Sequence, residues 1–181
     1  QGYIAANLEL ACKALNGVVL NPGETFSFND TLGERTTAKG YKSAPAYSGD
    51  DLVNQVGGGI CQVSSTLYNC VLAADLEVLE RENHMFYPGY VDPGLDCAVN
   101  WGTLDFRFRN SSGHAIRIEA SLDGYNVTVK LLGTDDKDYY VKMEYDILRT
   151  YDFSTYYRDL DEDNAEGYRN GDTIVEGVEG Y

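Results

Sequence analysis

Apolar residues recur at every third or fourth position in two stretches of the chain, which is the spacing of one face of an α-helix. The first stretch, residues 3–16, ends at the helix-terminating pair Asn16-Gly17. The second covers about fourteen residues after three consecutive glycines and gives way near Asp75. The predicted buried stripes are Ile4, Leu8, Cys12 and Leu15 in the first helix and Val63, Leu67, Cys70 and Ala74 in the second. We therefore predict two amphipathic helices.

Elsewhere apolar and polar residues alternate, as they do in β-strands that are buried on one face. Phe26 and Phe28 alternate around Ser27, and residues 29–56 follow as a long loop with short strands. Residues 76–87 read as a strand with His84 near its end. Two hairpins are predicted, one from 97–101 and 103–109 and one from 114–121 and 125–132 about Asp123-Gly124. Helices followed by an antiparallel meander indicate an α+β fold.

The composition indicates a second module and argues against one class of partner. The net charge is −15, and binding to nucleic acid requires a basic face, so we expect no nucleic-acid partner. Residues 135–181 carry 14 of the 29 acidic residues and eight of the fifteen tyrosines. This shift predicts a domain at 1–134 and an acidic, Tyr-rich β segment at 135–181, with a hairpin turn at 168–172 and a strand at 173–177.

No metal or cofactor is expected. The four cysteines form no C-x-x-C pair, which argues against zinc-ribbon and thioredoxin sites. Asp159, Asp161 and Asp163 have the spacing of the first ligands of an EF-hand loop. Asn164 and Asn170, however, replace the glycine and glutamate that such a loop needs, so a solvated acidic loop is the better interpretation.

We expect a soluble piece of a longer protein. No apolar run approaches the ~18 residues that span a bilayer. The chain begins at Gln1 without an initiator Met or a signal peptide.

The strongest candidate for chemistry is Cys61, which follows the run Gly57-Gly58-Gly59-Ile60. Glycines allow a tight turn and leave backbone amides uncovered. The cysteine then falls in the first turn of the predicted helix, where unpaired N–H groups favour a thiolate. The same amides are suited to hold the oxyanion of a tetrahedral intermediate. The alternative is a glycine turn that leads into a helix with an incidental buried cysteine.

A thiol nucleophile needs a base, and the chain has only two histidines. His84 lies at the end of the strand that follows the helix, an arrangement analogous to that of papain-like thiol enzymes. His114 opens a hairpin arm and reads as a surface residue. The residue that orients the imidazole should be a carboxylate or amide, and Asp96 and Asp105 are both candidates. Turn capping or a surface salt bridge is the alternative for each.

Several segments together resemble the VanW-like domain family over roughly residues 3–133. They are Asn21–Asn29, Gly40-Tyr41, the glycine run through Asn69, Glu80-Arg81, His84, Tyr90-Val91, Pro93-Gly94, Asp96 and Leu104–Asn110. Some members of this family are understood to be peptidoglycan L,D-transpeptidases that work through the cysteine of the glycine motif. Cys12, Cys70 and Cys97 stand at positions where the resemblance leads us to expect small residues such as Ala. This favours a structural role for all three.

The resemblance implies an extracellular, Gram-positive cell-wall enzyme that forms 3→3 cross-links. Cys61 would be the nucleophile and His84 the base, with Asp96 or Asp105 behind it. Gly58, Gly59, Gln62 and Ser64 would bind substrate or the oxyanion. The partners would be donor and acceptor stem peptides of peptidoglycan, the parent protein would be anchored in the membrane, and residues 135–181 would be a truncated accessory module. The alternatives are a non-catalytic stem-peptide binding module and a thiol peptidoglycan hydrolase or L,D-carboxypeptidase.

Overall fold

The computed structural model describes residues 2–48, 51–85 and 87–150, and it confirms the α+β class. The helices in this part of the chain are α1 (Gly2–Leu15), α2 (Phe28–Leu32) and α3 (Cys61–Ala73), and a 3-10 turn covers Thr37–Lys39. The strands are β1 (Val19–Leu20), β2 (Thr25–Ser27), β3 (Ser43–Ser48), β4 (Asp51–Val56), β5 (Glu77–Glu80), β6 (Arg107–Arg109), β7 (Ile116–Asp123) and β8 (Asn126–Leu132).

The largest sheet is built on the predicted C-terminal hairpin. β7 and β8 pair antiparallel in an unbroken register from Arg117–Leu132 to Asp123–Asn126, and β1 adds to the free edge of β7. Strand β7 alternates buried and exposed positions, so Ile118 is fully buried. The helices α1 and α3 pack on this sheet, with Leu8 and Leu67 fully buried in the shared core. Burial of one apolar face of each element therefore holds the helices on the sheet.

A second sheet orders its strands β2-β6-β5 and supplies the aromatic part of the core. The rings of Phe26 and Phe108 lie 5.0 Å apart, and Phe106 packs 5.7 Å from Phe108. The predicted strand through Phe28 is wrong because β2 ends at Ser27. The Ser27 hydroxyl caps α2 by accepting a hydrogen bond from the Asp30 amide, and Phe28 opens that helix.

The region predicted as a loop with short strands contains α2 and a regular hairpin. Strands β3 and β4 pair over all six residues of each, from Ser43–Val56 to Ser48–Asp51. This hairpin ends directly before Gly57, so it delivers the chain to the glycine run.

One predicted strand is much shorter than expected, and one predicted hairpin does not form a regular strand ladder. β5 ends at Glu80 after a register shift between Val78 and Glu80, so His84 lies beyond the strand rather than near its end. The predicted hairpin of 97–101 and 103–109 is wrong. Bridges join Asn100 to Leu104 and Glu82 to Ala98, and only Arg107–Arg109 forms a strand. In this region side-chain hydrogen bonds, described with the site below, replace the backbone hydrogen bonds of a regular strand pair.

The buried stripe of α3 also differs from the prediction. Val63, Leu67 and Val71 are fully buried, while Cys70 and Ala74 are half-buried at the edge of the core. Spacings of four residues keep the first three side chains on one face. All four cysteines are free thiols, and Cys12 and Cys97 are buried as predicted for structural residues.

Residues 134–150 contain no helix or strand. The predicted hairpin at 168–172, the strand at 173–177 and the acidic loop around Asp159, Asp161 and Asp163 lie outside the described residues. Within the described residues no helix is both long and apolar enough to cross a membrane.

Candidate active site

The glycine run is a tight turn pressed against strand β3. A Cβ atom on Gly58 would lie 2.2 Å from the carbonyl oxygen of Ala44, a separation that no side chain tolerates. Gly57 and Gly59 adopt φ values of +85° and +95°, which strongly favour glycine. The three glycines therefore let the chain pass close to β3 and enter α3 at Cys61.

Asn7 fixes this turn from the side of α1. Its side chain is fully buried and donates to the carbonyl oxygens of Lys42 and Gly58, both at 2.9 Å. It also accepts from the amide of Lys42 at 2.8 Å. Sequence reasoning missed Asn7, although a polar residue on the apolar face of a helix was the available signal.

Cys61 is the first residue of α3 and is half-buried. Its sulfur lies 3.5 Å from both the amide nitrogen and the carbonyl oxygen of Val99. The strand-like segment 97–99 is held against α3 by two serines. The Ser65 hydroxyl accepts from the Cys97 amide at 2.8 Å, and the Ser64 hydroxyl lies 2.7 Å from the Cys97 carbonyl oxygen.

His84 and Asp96 form a buried pair that faces this cysteine. One oxygen of Asp96 lies 2.7 Å from His84 Nδ1 and accepts from the His84 amide at 2.6 Å. Arg81 donates to the other oxygen at 3.0 Å. Asp96 has no exposed surface, and His84 is 9% exposed. Three donors therefore satisfy one carboxylate and fix the orientation of the imidazole.

The electrostatics of the pair favour a charged imidazole. Burial lowers the pKa of His84, but hydrogen bonds with Asp96 and Cys61 outweigh it and raise that pKa to about 9. Burial also raises the pKa of Asp96, and the hydrogen bonds and charges of His84 and Arg81 reverse this to a net lowering. The structure thus brings Cys61, His84 and Asp96 together as one hydrogen-bonded group at the start of α3.

Asp105 lies elsewhere. Its carboxylate accepts from the Ser27 hydroxyl at 2.6 Å and from the amides of Asn29 and Phe106, both at 2.8 Å. It lines an open pocket of about 290 Å³ together with Asp30 and Glu80, and that pocket contains neither Cys61 nor His84. Asp105 therefore joins β2 to α2, and the carboxylate that contacts the imidazole is Asp96.

Three of the four residues predicted to bind substrate or the oxyanion have other partners. The Gly58 amide donates to the Gln55 carbonyl oxygen at 3.0 Å. The Gln62 amide donates to the Gly59 carbonyl oxygen at 3.1 Å, and its side chain donates to Tyr125 at 3.0 Å. Ser64 holds the 97–99 segment, as described above. These internal hydrogen bonds favour a structural role for the three groups, and the roles of Gly58, Gln62 and Ser64 toward a substrate or oxyanion stay predictions.

The amides of Gly59 and Cys61 are the donors that remain open. Within the described chain neither amide has a hydrogen-bond acceptor. Gly59 lies two residues before α3 and Cys61 is its first residue, so both amides lie where the backbone dipoles of the helix leave partial positive charge.

His114, the second histidine, is 43% exposed in its side chain and pairs with Asp136 at 3.3 Å, as expected for a surface residue. In residues 2–48, 51–85 and 87–150, no three His, Cys, Asp or Glu side chains gather as metal ligands do.

The fold and the site together define an α+β domain with a cysteine at a helix start, backed by a buried His–Asp pair. Residues 4–132 match the family model described as "VanW like protein", and the chain belongs to this family. The resemblance that the sequence motifs indicated is thus confirmed.

Two curated proteins illustrate the relationship. The chain is 46% identical over 129 residues to "Uncharacterized protein YoaR" of Bacillus subtilis (strain 168), covering 71% of this chain and 43% of that protein. It is 32% identical over 123 residues to "Vancomycin B-type resistance protein VanW" of Enterococcus faecalis (strain ATCC 700802 / V583), covering 65% and 44%. The chain therefore spans less than half the length of the curated relatives it matches. No solved structure shows significant similarity to it.

Proposed function

We propose that this domain is a cysteine-dependent acyltransferase of peptidoglycan, an L,D-transpeptidase that forms 3→3 cross-links. The observation that carries the proposal is the Asp96–His84 contact of 2.7 Å, in a group that hydrogen-bonds with Cys61 at the start of α3. This is the arrangement of nucleophile, base and orienting carboxylate that acyl transfer requires. A relative described as a vancomycin resistance protein supports a role connected with the cell wall.

In the first half of the reaction the thiolate of Cys61 attacks the carbonyl carbon of the third residue of a donor stem tetrapeptide. The C–S bond forms, and the tetrahedral intermediate collapses as the C–N bond to the terminal D-Ala breaks. The imidazolium of His84 gives its proton to the departing amine, which is the general-acid step. Asp96 stabilises the imidazolium before this transfer and orients the ring through Nδ1.

In the second half an amine of an acceptor stem attacks the thioester. This amine belongs to a diamino acid at the third position of the acceptor, and it passes its proton to the neutral His84. The new amide bond forms as the C–S bond breaks, which regenerates the starting thiolate and imidazolium. If water attacks instead, the same steps give an L,D-carboxypeptidase.

The open amides of Gly59 and Cys61 are our candidates for the oxyanion hole. They are positioned at the turn into α3, and they have no competing acceptor in the described structure. Donors that are already fixed need no reorganisation when negative charge develops. The substrate class would place this domain on the outer side of the membrane.

Mass spectrometry of the wild type and Cys61→Ala incubated with a disaccharide-tetrapeptide tests the proposal. The expected result is an adduct on Cys61 equal to the donor without D-Ala, together with cross-linked dimers, and neither product in the variant. Tripeptide without dimers would indicate the carboxypeptidase. Absence of any adduct on a folded wild type would refute acyl transfer and favour a binding module.

A further inference from the structure

Arg35 is a buried cation that forms no ion pair with a carboxylate among the described residues, although the charge of Asp105 acts on it from a distance. It is 8% exposed, and its Cζ atom lies 5.9 Å from the ring centre of Phe28 and 6.0 Å from that of Trp101. Its Nη2 donates to Asn29 Oδ1 at 2.6 Å and its Nη1 to the Gly33 carbonyl oxygen at 3.1 Å. Both acceptors are neutral, and no carboxylate in the described residues forms an ion pair with this guanidinium.

The hydrogen-bonding capacity of this side chain is only partly used. A guanidinium has five N–H donors, and two of them have acceptors within the described part of the chain. A buried charge is costly unless an opposite charge or a full set of hydrogen bonds compensates it. The two aromatic rings and two neutral oxygens supply part of this compensation and leave the guanidinium suited to an incoming anion.

Two separate parts of the chain place Arg35 beside the nucleophile. A Cβ atom on Gly57, four residues before Cys61, would lie 3.0 Å from Cβ and Cγ of Arg35. Trp101, which covers the guanidinium, follows Val99 by two residues, and the backbone of Val99 contacts the sulfur of Cys61. Burial lowers the pKa of Arg35, and the charges of Tyr41, Cys61 and Asp105 oppose that lowering.

We propose that Arg35 is the carboxylate-binding residue of this site and holds a substrate carboxylate adjacent to the carbonyl that Cys61 attacks. The planar fork of the guanidinium matches a carboxylate and forms two parallel hydrogen bonds with it. Trp101 is 44% exposed and its ring centre lies 6.0 Å from Cζ of Arg35, so this side of the guanidinium lies close to the surface. The identity of the carboxylate rests on the proposed function, whereas anion binding next to Cys61 does not.

The first experiment measures charge selectivity at Cys61 without a peptidoglycan substrate. The sulfur displaces iodide from iodoacetate, an anion, or from iodoacetamide, its neutral counterpart, and peptide mass spectrometry reads the alkylation of Cys61. The rate of alkylation by iodoacetate divided by the rate by iodoacetamide should fall by roughly tenfold in Arg35→Gln. This is the size of effect expected for a hydrogen bond to a charged group. Arg35→Lys should retain part of the preference because it keeps the charge. Arg117→Gln, which removes an exposed arginine from β7, should leave the ratio unchanged.

An unchanged ratio in folded Arg35→Gln would overturn the proposal. If that variant does not fold, the proposal is tested by whether a carboxylate ligand protects Cys61 of the wild type from alkylation. N-acetyl-D-alanine at millimolar concentration should slow alkylation of Cys61 by iodoacetate, and N-acetyl-D-alanine amide should not. Equal effects of the acid and the amide would overturn the proposal as well.

The second experiment identifies the carboxylate with three donor peptides: the free acid, one amidated at its terminal D-Ala, and one amidated at the side carboxylate of the diamino acid. Arg35 should favour the free acid by roughly tenfold over one amidated donor, and the difference should disappear in Arg35→Gln. The donor that loses acylation reports which carboxylate is bound. If no donor acylates Cys61 but the iodoacetate preference depends on Arg35, the proposed function fails while the anion site remains.

Discussion

Replacement of Asp96 by Asn perturbs the site with a minimal change of shape. Asn has the same size as Asp, but it carries no charge and offers one acceptor oxygen in place of two. In the native site the two carboxylate oxygens accept from the His84 amide, from Nδ1 of the same residue and from Arg81. The variant therefore leaves at least one of these donors facing an amide N–H group, and the imidazolium loses its counter-charge.

The magnitude follows from the pKa of His84. The shift from 6.5 to about 9 corresponds to roughly 3 kcal/mol of preferential stabilisation of the imidazolium, at about 1.4 kcal/mol per pH unit. Among the causes that raise this pKa, the hydrogen bond with Asp96 is the largest, and the opposing effect of burial persists in the variant. The pKa of His84 should therefore fall. Acylation at pH 7 should decrease by about 10²- to 10⁴-fold, the range seen when such a carboxylate is replaced.

The same shift predicts how stability depends on pH. Because the folded pKa of His84 is raised, its contribution is fully present below pH 6.5 and is lost as the pH rises through about 9. Urea unfolding of the wild type should show a decline of roughly 3 kcal/mol across that interval, with a much smaller decline in Asp96→Asn. Acylation of Cys61 and its alkylation by iodoacetamide are measured over the same pH range.

Asp105→Asn is the matched control, because this carboxylate also accepts backbone hydrogen bonds but does not contact His84. It should reduce stability without changing the pH dependence of Cys61 alkylation. The reasoning is refuted if Asp96→Asn remains folded and keeps both the wild-type acylation rate and the wild-type pH dependence.

Three further outcomes follow from the geometry. Gly58→Ala should prevent folding or shift the thermal midpoint strongly downward in calorimetry, since its Cβ would meet Ala44 at 2.2 Å; wild-type stability would contradict the close packing. Asn7→Leu should lower the free energy of unfolding by about 2–4 kcal/mol in urea titrations, because it leaves the amide of Lys42 and the carbonyl oxygen of Gly58 without this partner; a loss below about 0.5 kcal/mol would exclude this role. Acylation of Cys61 should decline as the pH rises through about 9, where His84 loses the proton for the leaving amine; a rate that keeps rising to pH 10 would remove His84 as the acid.

Local patterns predicted the elements whose partners are close in sequence. The helix at Gly2–Leu15 and the hairpin of β7 and β8 follow from apolar periodicity and a two-residue turn, and both are confirmed. The start of α3 at Cys61 follows from the glycines before it. The short helix α2 was missed because its signal, a Ser27 cap, sits within an alternating pattern that also fits a strand.

The segment between β5 and β6 was predicted poorly because its contacts are side-chain hydrogen bonds between distant residues. Ser65 and Cys97 are 32 positions apart, and their contact holds a strand-like segment that has no regular ladder. No periodicity encodes such a contact. The same contact brings the backbone of Val99 to the sulfur of Cys61. The position of the 97–99 segment beside the site could therefore not be predicted from the sequence.

By itself the sequence determined the nucleophile candidate, because Cys61 follows a contiguous glycine motif, and the family, because its motifs are readable along residues 3–133. Tertiary structure alone decided which carboxylate lies behind His84 and which amides stay open. Asp96 after a Pro-Gly turn and Asp105 on the polar face of a predicted strand are equally plausible in one dimension, but packing of the 97–99 segment on α3 brings only Asp96 to the imidazole. A hydrogen bond acts over about 3 Å, so a contact is decided by where the fold places two atoms.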